Sequence, residues 1–206
     1  VHYNWHWHWD YGNGDVGNQG IHETDMCQWG LDVQLPSEIG AMGGKFLWDD
    51  DKETPEILTT LYSFPEEKKL IQFEVRHWCT NTEQGATVGN IFYGSEGVMV
   101  IKGYGTYETY LGRNREPGPK RSESGELDQH FSNFVEAVRT RDQDHLNGPV
   151  ETAHFSSALA HLGNIAYRLK RQLHFDPERE RFVDDTEADS MLTRNYREPF
   201  VVPRRV

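Results

Sequence analysis

Imidazoles, carboxylates and indoles are crowded into one short stretch of this chain: Trp5, His6, Trp7, His8, Trp9, Asp10 and Tyr11 precede the glycine-rich run Gly12-Asn13-Gly14-Asp15-Val16-Gly17-Asn18-Gln19-Gly20 and then Ile21-His22-Glu23-Thr24-Asp25. Imidazole and carboxylate groups move protons, indole faces stack on sugar rings, and glycines let the backbone approach a ligand closely. The glycines also spell a G-x-G-x-x-G at Gly12, Gly14 and Gly17. A dinucleotide fingerprint needs an apolar strand before it and a βαβ unit around it. Neither surrounds this run, so a nucleotide site is not assigned to it.

The spacing instead predicts a helix from about Ile21 to Trp29 with His22 on its first turn. His22, Asp25, Met26 and Trp29 would share one face. A helix N-terminus disfavours the imidazolium form, which suits His22 to act as a general base or a neutral hydrogen-bond donor. Trp7, Trp9, Asp10 and Tyr11 are the candidate ligand contacts, the rings by stacking and the carboxylate by hydrogen bonding. If the opening were extended, His2, His6, His8 and Asp10 would lie on one face with zinc-compatible chemistry. The interleaved tryptophans suit a sugar-stacking wall better, and no metal is assigned.

The elements that must position these residues read as one helix, a run of strands and two further helices. Strands are predicted over Ile39–Trp48, Glu56–Phe64, Lys69–Thr80, Gly89–Tyr93, Gly97–Lys102 and Thr106–Leu111, with connections too short for crossover helices. Alternation is clearest where Ile71, Phe73 and Val75 face one way and Gln72, Glu74 and Arg76 the other. The stretch Gly112–Gly125 reads as a mobile loop whose Arg113, Arg115, Lys120 and Arg121 form a solvated basic cluster. From about Gly125 to Thr140, Leu127, Phe131, Phe134, Val135 and Val138 make an apolar stripe; the next helix runs from Pro149 to about Gln172, with Phe155, Leu159, Leu162, Ile165, Ala166 and Leu169 toward the core. His130, His154 and His161 on these helices read as packing or hydrogen-bonding residues. After a strand-like His174-Phe175-Asp176, the tail 173–206 is expected to have little regular structure and to wrap another surface. The predicted fold is α+β: a largely antiparallel open sheet backed by helices on one face, in a single domain over residues 1–206 with no Rossmann domain.

With 206 residues the chain can bury one sizeable core. A net charge of −12 and a pI near 5.2 oppose sequence-independent nucleic-acid binding, which needs a basic surface. No apolar run is long enough for a membrane span and no leader pattern is visible, so a soluble protein, cytoplasmic or periplasmic, is expected. The two cysteines, Cys27 and Cys79, form no metal or redox pair in sequence and read as buried structural residues.

The run Asn4 to Leu31 resembles the start of the substrate-side half of the Gfo/Idh/MocA oxidoreductases. Three later blocks resemble the same family: Asp128–Val138, Ala153–Arg168, and Tyr196-Arg197-Glu198-Pro199-Phe200. The resemblance implies NAD(P)-dependent hydride transfer on a sugar, polyol or related carbohydrate hydroxyl, with His22 as acid/base, Asn18 orienting the hydroxyl and Asp25 orienting the helix face. Asn18 stands where the family commonly has an aspartate. The family's cofactor domain and its Glu-Lys-Pro lysine have no counterpart, so the chain begins where the second half of such enzymes begins and is not expected to transfer hydride alone. A separate cofactor-binding chain and a homo-oligomer using the open sheet face are implied partners. The alternatives are a non-catalytic carbohydrate-binding or assembly module, or a glycosidase or lyase using the same site.

Overall fold

The computed structural model describes residues 2–78, 81–123 and 127–203. Turn-formers cut the middle of the chain into short antiparallel strands, as the sequence predicts, but these divide into two sheets. The first has the order β3-β2-β1-β8-β9, where β1 is Glu38–Gly44, β2 Ile57–Phe64, β3 Lys69–Arg76, β8 Leu173–Asp176 and β9 Arg181–Phe182. The second runs β4-β5-β6-β7, with β4 Asn90–Tyr93, β5 Gly97–Gly103, β6 Thr106–Leu111 and β7 Glu116–Ser122. Every named strand pair is antiparallel. The alternation in β3 holds: Ile71 is buried, Phe73 and Val75 pack on the core, and Gln72 and Glu74 hydrogen-bond to each other at 2.7 Å.

Before the sheets come a 3-10 turn, Asn4–Trp7, and two nearly continuous helices, α1 Gly14–Asn18 and α2 Gly20–Leu31; α3 Leu127–Thr140 and α4 Val150–Leu169 follow the second sheet. The main core lies where α4 and α2 cover the first sheet, around Ile39, Tyr62, Phe64, Leu159, Leu162 and Ile165. Close approach of α4 to β2 requires Gly163, because a Cβ there would lie 2.5 Å from the Tyr62 hydroxyl. That hydroxyl donates to the Leu159 carbonyl at 2.7 Å.

Two expectations are corrected. The segment read as a mobile loop contains β7, whose Pro117 and Pro119 are tolerated because β7 is an edge strand, where a missing N–H breaks no ladder. The tail is regular as far as α5, Thr186–Ser190: Phe175 and Phe182 meet edge-on at 5.2 Å, both in the core, and the Asp185 side chain caps α5 through the Ala188 N–H. The apolar stripe of α3 is exposed, with Phe131 at 63% and Phe134 at 56%. The Leu127 side chain, Gly125 and Cys79 lie outside the described residues. No helix among the described residues is long and apolar enough to cross a membrane.

Candidate functional site

Gly14 turns the chain into α1 with φ of +66°, and a Cβ there would meet the Thr54 Cβ at 2.8 Å, so glycine is required twice over. α1 ends at Asn18, where the Gln19 N–H donates to the Asp15 carbonyl at 3.1 Å. α2 then starts at Gly20, seated on the Phe73 ring. His22 therefore lies on the first turn of α2, one turn beyond Asn18, and both side chains are exposed. The His22 ring meets Tyr104 edge-on, with centroids 6.4 Å apart. Asp25 plays a different part: its carboxylate accepts from the Ser156 hydroxyl at 2.5 Å and ties α2 to α4. Trp29 is 78% exposed, so the face shared by His22, Asp25, Met26 and Trp29 is not a core face.

The aromatic opening is compact rather than extended. Its 3-10 turn sends His6 inward, 5% exposed, with Nδ1 2.6 Å from the Tyr3 carbonyl. The zinc face that an extended His2, His6, His8 and Asp10 would have formed does not exist, and no group of three or more potential ligands among the described residues could hold a metal ion. The Trp7 carbonyl accepts from the Glu53 and Thr54 N–H groups at 3.0 and 3.3 Å, which pins half-buried Trp7 to the loop before β2. Trp9 lies under the Arg168 guanidinium at 5.0 Å. Arg194, from the tail, donates to the carbonyls of Asp10 and Trp9 at 2.7 and 3.1 Å. Asp10 and Tyr11 are left at the surface. The predicted residues thus form two groups, Asn18 with His22 at the start of α2, and Trp9, Asp10 and Tyr11 under the tail, while Trp7 faces inward.

Trp7 belongs to a polar cluster that the sequence reading missed. The Asp15 carboxylate, on α1, sits between two imidazoles: His77 Nε2 contacts Oδ2, and His6 Nε2 lies 3.9 Å from Oδ1. The Trp7 and His77 rings meet edge-on at 6.2 Å. Among the described residues, His6 Nε2, Trp7 Nε1, Thr54 Oγ1 and His77 Nδ1 are all buried without a hydrogen-bond partner. Buried polar atoms are nearly always satisfied, so this cluster is suited to hold water or a polar ligand. His77 follows β3 and Asp15 lies in the glycine run. Only tertiary packing joins them, and no local spacing could have announced it.

Beside this cluster runs a groove of about 710 Å³ between α2, β3 and β4, with Asp15 and His77 in its lining. Cys27 lines it too, its thiol pushed up to about 11, chiefly by burial, with the Asn90 hydrogen bond opposing and the Glu23 charge adding. That thiol stays protonated near neutral pH and is no nucleophile.

A family model described as the C-terminal alpha/beta domain of the oxidoreductase family, of the Gfo/Idh/MocA group, matches residues 117–202. The match covers α3, α4 and the tail and leaves Asn4–Leu31 outside it. Comparison with curated proteins gives no match. Among solved structures, the chain is similar to a putative oxidoreductase from Bacteroides fragilis (12% identity, TM-score 0.59, covering 79% of this chain and 54% of that one). It is also similar to the WlbA dehydrogenase from Bordetella pertussis, solved with NADH and UDP-GlcNAcA (12% identity, TM-score 0.53, covering 84% and 48%). A third is an oxidoreductase from Agrobacterium radiobacter, solved with NAD+, L-tartaric acid and magnesium (11% identity, TM-score 0.57, covering 77% and 48%). At these identities the likeness is one of fold. The chain spans about half the length of each of these relatives.

Proposed function

We propose that this chain is the substrate-side half of an NAD(P)-dependent oxidoreductase acting on a hydroxyl of a sugar, polyol or related carbohydrate. The observation that carries the reading is the exposed His22 imidazole at the open start of α2, one turn after Asn18, on a fold shared with a dehydrogenase solved with NADH and UDP-GlcNAcA and an oxidoreductase solved with NAD+ and L-tartaric acid.

The residues of this chain do not fit a dinucleotide. Gly12 and Gly14 follow a 3-10 turn rather than a strand, and Gly17 is inside α1 with a Cβ position 2.5 Å from the Asn13 side chain. This supports placing the cofactor in a portion outside residues 1–206, in the same polypeptide or in a separate chain. A nicotinamide held there would be the hydride acceptor; this chain's part would be the proton and the placement of the substrate. His22 would accept the proton of a substrate hydroxyl, and the Asn18 amide would hydrogen-bond the same hydroxyl. Trp9 and Tyr11 offer ring faces, Asp10 offers a carboxylate to sugar hydroxyls, and Trp7 backs them from inside. Asp25 fixes α2 to α4 and so holds the helix that presents His22. The open sheet faces are assigned to contacts with further copies.

The test is a panel of sugars and polyols offered to the chain together with its cofactor-bearing portion and NAD(P)+, followed by nicotinamide absorbance. Oxidation of at least one carbohydrate supports the proposal. If the assembly reduces no cofactor on any of them, or if calorimetry shows this chain alone binding NAD(P) at micromolar concentration, the reading is wrong.

A further inference from the structure

Asp15, on α1, is held between imidazoles from two distant segments, His6 of the 3-10 turn and His77 just after β3. Their partners fix which ring nitrogens carry protons. His6 Nδ1 lies 2.6 Å from the Tyr3 carbonyl, which can only accept, so Nδ1 donates and Nε2 of the neutral ring is a bare lone pair. That lone pair faces Asp15 Oδ1, another acceptor, across 3.9 Å. His77 Nε2 contacts the Asp15 carboxylate and therefore donates, which leaves Nδ1 of the neutral ring as a second bare lone pair. Trp7 brings the opposite need. Its ring centroid is 4.3 Å from that of His6 and 6.2 Å from that of His77, and its indole N–H has no acceptor among the described residues. Thr54, whose N–H donates to the Trp7 carbonyl, adds an unpaired hydroxyl. His6 and Thr54 are only 5% and 2% exposed, so bulk water does not satisfy them.

This inventory selects a guest. An anion would satisfy the indole N–H but would face a carboxylate and two lone pairs. A cation would satisfy the lone pairs and leave the indole N–H unpaired. A hydroxyl both donates and accepts, and adjacent hydroxyls on one molecule can reach several of these atoms together. Water has the same chemistry; an aromatic wall beside the cluster favours a ligand with a carbon face. Trp48 and Trp78 meet edge-on at 5.4 Å, and both are exposed. Lys52 joins wall to cluster, with Nζ 4.7 Å from the Trp48 ring and 5.3 Å from the Trp7 ring. Asp50 and Glu56, each 3.3 Å from Nζ, balance its charge, so it draws no anion. Buried Glu56 holds the arrangement in place. Its carboxylate accepts from the Phe46 and Leu47 N–H groups at 2.9 and 2.6 Å, and its carbonyl accepts from the His77 N–H at 3.0 Å. Asp15 and His77 are half-buried and line the groove, which makes them the open side of the cluster.

We infer that this corner is a binding site for a neutral polyhydroxylated ligand, a sugar or polyol. Its hydroxyls bridge His6 Nε2, the Asp15 carboxylate and His77 Nδ1 and accept from the Trp7 indole, while its carbon face lies on the Trp48–Trp78 pair. The site contains neither Asn18 nor His22. Its ligand class follows from donor and acceptor positions and stands without the oxidation proposed above.

NMR of the indole and imidazole signals in the chain alone, without NAD(P), tests the site. The probes are myo-inositol, sorbitol and glucose, with sulfate and methylammonium as charged controls. At least one probe should shift the Trp7 Nε1–H and His77 ring signals saturably, and neither control should do so. Thr54→Val keeps the side-chain shape and removes one unpaired hydroxyl; binding should weaken about threefold or more, while the melting temperature does not fall. Asp15→Asn keeps the shape and removes the charge, and should weaken binding about tenfold or more. No shift with any of the three probes overturns the site and leaves a cluster that holds water alone. An equal response to sulfate or methylammonium overturns the ligand class. Binding undiminished in both variants lies elsewhere and overturns the assignment. A failed oxidation assay changes none of these readouts, because no cofactor takes part in them.

Discussion

α3 and α4 are neighbours in sequence, and each carries an apolar stripe at helical spacing, yet they have opposite fates. α4 buries Leu159, Leu162, Ile165 and Ala166 against β1 and β2, and its close approach depends on Gly163. α3 leaves Phe131, Phe134, Val135 and Val138 exposed, and is tethered instead through Asn133, whose side chain bonds the His145 carbonyl and the Asn147 N–H at 2.6 and 2.9 Å. Periodicity says that a face has a partner; it does not say that the partner is in the same chain.

The widest separation between the two helices should appear in stability. Leu162→Ala, at a residue 2% exposed, is expected to cost about 2–5 kcal/mol in urea unfolding. Phe134→Ala in the chain alone should change it by no more than about 0.5 kcal/mol. Similar losses in both would mean that α3 packs after all. A smaller effect tests the anchor between α4 and β2: Tyr62→Phe removes the bond to the Leu159 carbonyl and should cost about 1 kcal/mol, with the urea dependence otherwise unchanged.

The smallest effect concerns the end of α4, where Arg171 binds Asp185 and Glu187 and fastens the helix to α5. Arg171 holds the Asp185 carboxyl down at about 2, below its ordinary value. A carboxyl lowered on folding contributes stability above its unfolded value of about 3.9 that is lost as pH falls. Melting temperature should therefore drop between about pH 4 and pH 2 in the parent protein and drop less steeply in Asp185→Asn, because asparagine cannot titrate. Parallel curves for the two proteins would show that the pair does not couple to folding.

Much of this architecture is written locally. The strand run, α2, α4 and the alternation of β3 follow from side-chain period and turn residues, and the His22 position follows from the helix start. What could not be read depends on tertiary packing. The division into two sheets, the inward turn of His6 and the meeting of Asp15 with His77 each join residues whose local patterns are silent about one another. β7 was obscured by Pro117 and Pro119, which mark a loop in most contexts and an edge strand in this one. The tail looked unstructured because its anchors are single residues, Phe175, Phe182 and Asp185, rather than a periodic run.

The proposal that His22 carries a proton for a carbohydrate hydroxyl stands or falls with turnover of His22→Ala in the complete assembly with cofactor. Turnover is expected to fall about a hundredfold or more, the usual scale for a general base, while the melting temperature stays the same because the side chain is exposed and buries nothing. Unchanged turnover in a folded His22→Ala protein would contradict the assignment and leave His22 a surface residue beside Tyr104.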